Sequence, residues 1–103
     1  SKSYQQLVAK SDKLYADGEK EKALIIREEL SLYSKALANY NIGVTKLKEK
    51  KYDEAISAFL KSSKNQKLRF ESDLNIAISA FNKGDNALYN KHFSAAKNAL
   101  STK

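Results

Sequence analysis

Apolar residues recur at helical spacing along almost the whole chain. Leu37, Tyr40, Val44 and Leu47 make one stripe and Leu74, Ile78 and Phe81 another, with steps of three and four that keep each set on one face of a helix. Weak breakers interrupt the pattern at Asp17-Gly18, at Lys48 to Lys51, at Ser62 to Gln66 and at Gly84-Asp85. The intervals are too short for one long coiled coil. They predict six helices, over 3–16, 19–33, 36–49, 52–64, 67–83 and 86–101, with adjacent helices pairing as three antiparallel hairpins.

Three hairpins in 103 residues imply a period near 34, and self-similarity at such a period decides the architecture. Ser11, Gly43 and Ala77, small residues at matching places, lie 32 and 34 apart. Residues 36–65, ALANYNIGVTKLKEKKYDEAISAFLKSSKN, closely resemble a tetratricopeptide repeat. Tyr40-Asn41-Ile42-Gly43 fits its first helix, and Tyr52-Asp53-Glu54-Ala55-Ile56 followed by Phe59 fits its second. Gly43 and Ala55 are small where two such helices approach closely, and Tyr52 and Phe59 fill the space beside them. The flanking units resemble the family through Leu7, Ser11, Leu14, Tyr15, Gly18, Ala23 and Leu24, and through Ile76, Ala77, Phe81, Gly84, Asp85, Phe93 and Ala96. Arg27 stands where an aromatic is usual and Tyr89 where a small residue is expected. Asn39 and Lys46 replace large apolar residues, and the proline common before the next repeat is absent.

The resemblance implies an all-α, right-handed superhelical stack of three hairpins, with repeats at about 4–35, 36–69 and 70–103 forming one domain. It also implies a concave groove that takes a segment of another protein. Carried onto this chain, that groove comprises Val8, Asp12 and Tyr15, then Tyr40, Asn41, Val44 and Leu47, then Leu74, Asn75, Ile78 and Phe81. For Val44, Leu47, Ile78 and Phe81 the competing expectation is plain burial between hairpins. Some relatives grip an acidic chain end with a clamp of Lys, Asn, Asn, Lys and Arg. Only Asn41 matches it here, with Val8, Asp12, Glu71 and Asn75 at the other places, so that use is not expected.

Solenoids end in a helix with a polar outer face, yet the last predicted helix carries Leu88, Tyr89, Phe93, Ala96, Ala99 and Leu100. Tyr89, Phe93 and Leu100 are therefore expected at a contact with a further segment of a parent chain or with another subunit. The alternative is that all three turn inward.

Composition narrows the chemistry. There is no Cys, Pro, Met or Trp, and there are three Gly, so disulfides, thiolate nucleophiles and Cys-ligated metals are excluded and hairpin-turn punctuation is scarce. His92, the lone histidine, rules out a multi-His metal centre and is expected exposed or half-packed. Glu28-Glu29 and Asp53-Glu54 read as solvated helix residues, and no glycine loop cradles phosphate. Neither an enzyme nor a cofactor is expected. No run is long and apolar enough for a membrane span, and Ser1 to Gln6 lack a signal-peptide core. A soluble domain of a longer cytoplasmic or periplasmic protein is the expectation.

The net charge is +7. Residues 1–35 hold seven basic and six acidic groups, 36–69 eight and three, and 70–103 four and three, so the excess is central. It comprises Lys46, Lys48, Lys50 and Lys51 toward one end of the 52–64 helix and Lys61, Lys64, Lys67 and Arg69 toward the other, about 20 Å away. A nucleic-acid or other anionic partner is the alternative to a protein partner. Such partners favour arginine together with base-stacking aromatics in one surface, and the presence of only two arginines disfavours it.

Overall fold

The computed structural model describes residues 3–101. They form an all-α structure with no strand among them: α1 (Tyr4–Ala16), α2 (Lys20–Lys48), α3 (Tyr52–Ser62), a 3-10 turn at Gln66–Leu68, α4 (Arg69–Lys83) and α5 (Asn86–Ser101). Two compact units divide the chain, Ser1–Ser34 and Lys35–Lys103, and α2 contributes to both. The break predicted between 33 and 36 is absent, because α2 runs unbroken for 29 residues. Its sequence there, Leu32-Tyr33-Ser34-Lys35-Ala36-Leu37, contains neither Gly nor Pro, so nothing opposes continued hydrogen bonding. Six predicted helices are thus five.

Where the chain does turn sharply, it does so the same way three times. After α1, Gly18 adopts φ 87°, its N–H donates to the Tyr15 carbonyl and that of Glu19 donates to Leu14. After α2, Lys50 adopts φ 62° and the N–H groups of Lys50 and Lys51 donate to Leu47 and Lys46. After α4, Gly84 adopts φ 91° while Gly84 and Asp85 donate to Phe81 and Ala80. All three are Schellman closures, which satisfy the last helical carbonyls and need a left-handed residue. Lysine in that region costs about 1 kcal/mol more than glycine. Lys50→Gly is accordingly expected to raise the melting temperature by a few degrees, each kcal/mol being about 4 to 8 °C at this size. A fall on substitution, read by thermal circular dichroism, would contradict that turn.

In the first unit Ser3 and Gln6 form a capping box, Gln6 N–H to Ser3 Oγ at 3.3 Å and Ser3 N–H to Gln6 Oε1 at 3.0 Å, which starts α1. The Tyr4 and Tyr33 rings lie 6.0 Å apart, and Ala23 and Ser11 are buried.

In the second unit Ala55, Ile56, Phe59 and Ile76 are the buried cluster, with Tyr40, Val44, Leu47 and Leu88 packed on it. Four helical segments therefore share one core. α4 lies between α3 and α5, and contacts both. Its buried face is Ser72, Asp73, Ile76, Ala77, Ser79 and Ala80, small enough to let both neighbours approach. The hydroxyls this buries are bonded, Ser62 to Ser72 at 2.6 Å and Ser79 to the Asn75 carbonyl at 2.8 Å. His92 of α5, expected at the surface, is buried, with Nδ1 2.9 Å from Asp73 Oδ1. A helix face cannot be assigned to solvent by its polarity alone when a complementary buried carboxylate waits on the facing helix.

Candidate functional site

The groove residues meet different fates. Asp12 and Tyr15 are engaged by Arg27, whose guanidinium bonds Asp12 Oδ1 at 3.1 Å and stacks 4.7 Å from the Tyr15 ring centre. Arginine thus serves where the repeat pattern has an aromatic. Val8 is half-buried on α1.

Tyr40 packs edge-on against Phe59, with ring centres 5.4 Å apart, and its hydroxyl accepts a 2.9 Å hydrogen bond from Asn75 Nδ2. The same Asn75 amide donates to the Glu71 carbonyl. Tyr40 and Asn75 therefore join α2 to α4. Val44 and Leu47 pack on the core, as the burial alternative expected, and Leu74 is half-buried. Asn41 is exposed, and so are Ile78 at 41% and Phe81 at 65%, which the burial alternative did not expect.

Phe81 does not stand alone. Its ring centre lies 5.5 Å from that of Tyr89, and Tyr89 stacks on Phe93 at 5.4 Å with the planes 12° apart. Phe93 remains 36% exposed, and Leu100, two turns further along α5, 56%. The structure so joins one residue of the predicted groove to two of the predicted terminal set in a single aromatic row across α4 and α5. Lys97, which sequence reasoning did not single out, places Nζ 5.8 Å from the Phe93 ring centre. The i, i+4 spacing of Tyr89, Phe93 and Lys97 was available as a signal. Exposed aromatic rings in contact with one another forgo the burial that drives folding, and such patches mark interaction sites.

Two central lysines already have carboxylate partners, Lys46 bonding Glu54 at 3.2 Å and Lys51 lying 3.6 Å from Glu49, and Lys83 of α4 bonds Asp53 of α3. The hydrogen bond and charge of Asp53 hold the Lys83 ammonium above its ordinary value. At the other end of α3, Arg69 Nε donates to the Ser63 carbonyl. Phosphate binding at the first of these ends would compete with those acids at Lys46 and Lys51.

Among the described residues no three His, Cys, Asp or Glu converge as metal ligands, and no helix is long and apolar enough to cross a membrane. No protein-family model matches the chain, and no curated protein matches it.

Proposed function

We propose that this protein is a non-catalytic protein–protein interaction scaffold of tetratricopeptide-like hairpins, taking a partner segment on the face made by Phe81, Tyr89 and Phe93. The observation that carries the reading is that continuous aromatic row, in which Phe81 and Phe93 are exposed and half-buried Tyr89 joins them. The tetratricopeptide relation is supported in residues 35–103 by the recurring helix-ending turn, by Gly43 at the close approach of α2 and α3, and by Phe59 packed beside it. Residues before 35 supply α1 and the first part of α2, carrying one further copy of the same turn. Within the second unit Tyr40, Val44, Leu47 and Asn75 brace α2 against α3 and α4 beneath that face, and exposed Ile78 on α4 would extend it.

Photo-crosslinking in cell extract through an aromatic probe at Phe81 tests the proposal. The expected result is a captured protein that survives a rise from about 50 to 500 mM salt, since apolar contact is weakly screened whereas phosphate binding falls steeply. Phe81→Ser with Phe93→Ser should abolish capture by a probe moved to Ile78. Capture of nucleic acid that vanishes at high salt would transfer the function to the lysines. Tyr40→Ala is unsuited as a probe of binding, because it removes the Asn75 partner and the packing on Phe59.

A further inference from the structure

Resting on the scaffold reading above, we infer that the partner seated on Tyr89 and Phe93 is an acidic amphipathic α-helix, held there as α4 is held on α3. The two hairpins of residues 35–103 superpose in sequence with a shift of 34: Gly43 corresponds to Ala77, Ala55 to Tyr89 and Phe59 to Phe93. Phe59 touches α2 at Gly43 and Tyr40 and is closed off by Ile76 of α4, leaving it 0% exposed. Phe93 has the corresponding place in the sequence but keeps more than a third of its surface exposed. The element that completes the first site is a helix, so the surface repeated at the second is shaped for a helix. It is wider, because Tyr89 replaces Ala55 and lies flat against Phe93.

Charge sets the chemistry of that helix. α5 contains no Asp or Glu, and Lys97 stands beside the Phe93 ring while Lys91 is exposed on the same helix. A carboxylate on the incoming helix pairs with Lys97, and apolar residues three and four apart from it cover the rings. A second copy meeting this face about a two-fold axis would set lysine against lysine instead.

The probe is a peptide of residues 69–84, the helix that covers Phe59, in two charge forms: acidic, with Arg69→Glu and Lys83→Glu, and basic, with Glu71→Lys and Asp73→Lys. Each is titrated into the whole 103-residue protein and followed by the Tyr89 and Phe93 ring signals in NMR. The acidic form should bind and move both rings. Phe93→Ser should weaken it about tenfold or more, and the surface variant Lys97→Glu by about threefold to tenfold while improving the basic form. Absence of acidic-peptide binding, equal binding of both forms, or indifference to Phe93→Ser and Lys97→Glu would each overturn the inference. So would a dimer in sedimentation that Tyr89→Glu dissociates, which would give the face to a second copy. A failed peptide alongside capture that still depends on Phe81 and Phe93 would refute the acidic helix and leave the scaffold standing.

Discussion

Gly43→Ala is expected to destabilise the protein although alanine is the better helix former. In an open helix the exchange stabilises by about 1 kcal/mol. Here the added Cβ would lie 2.6, 2.7 and 2.8 Å from three Phe59 ring atoms, distances that no carbon pair tolerates. The ring has little room to retreat, since Phe59 is fully buried between Tyr40 on one side and Ile76 on another. Overpacking of this kind costs about 1 to 3 kcal/mol, so the clash outweighs the propensity gain. Gly43→Leu should cost more, and a melting temperature unchanged by it would refute the pairing of α2 with α3. Trimming the obstacle supplies a control: Gly43→Ala combined with Phe59→Leu should destabilise less than the two changes added, a coupling that marks direct contact.

Two phenylalanines 34 residues apart, Phe59 and Phe93, supply the second large effect. Phe59→Ala is expected to cost about 3 to 5 kcal/mol, the range for emptying a fully packed aromatic site. Phe93→Ala should cost less, about 1 to 2 kcal/mol, because 36% of its surface stays solvated and its packing is chiefly the stack on Tyr89. Urea unfolding of the two variants measures the difference directly. Similar losses would mean that Phe93 is covered in solution, and the aromatic row would no longer qualify as a free face. A large difference leaves Phe93 with a side chain that the fold hardly needs. That separation of stability from exposure is what makes Phe93 usable as a binding probe.

Much of this molecule is written locally. Helix faces follow from the spacing of Leu37, Tyr40, Val44 and Leu47, and two of the helix ends follow from Gly18 and Gly84, because only a residue free to turn left-handed closes a Schellman turn at little cost. The third, at Lys50, has no such marker and was legible only as the lysine-rich interruption at Lys48 to Lys51. Gly43 could be assigned to a close helix approach, since smallness at a repeated position has a steric meaning wherever it recurs. The joining of 19–33 to 36–49 was not legible. Periodicity gives the face of each segment, and the absence of Gly or Pro between them was the only local sign that one helix would run through.

What tertiary structure alone decided are the contacts between residues far apart in the chain. His92 finds Asp73 19 positions away and Tyr40 finds Asn75 35 positions away. A helical stripe specifies which side chains point the same way, but not how much of that stripe a neighbour covers. Leu47 and Phe81 stand 34 apart on matching apolar stripes and part company on that account: Leu47 packs against the Phe59 cluster, while Phe81 is left outside it with its ring tilted against that of Tyr89. The sequence by itself determined the helical faces and the supply of aromatic residues; which aromatics are core and which remain a surface is decided by the packing of α4 between α3 and α5, because burial is a property of the packed neighbours rather than of the residue.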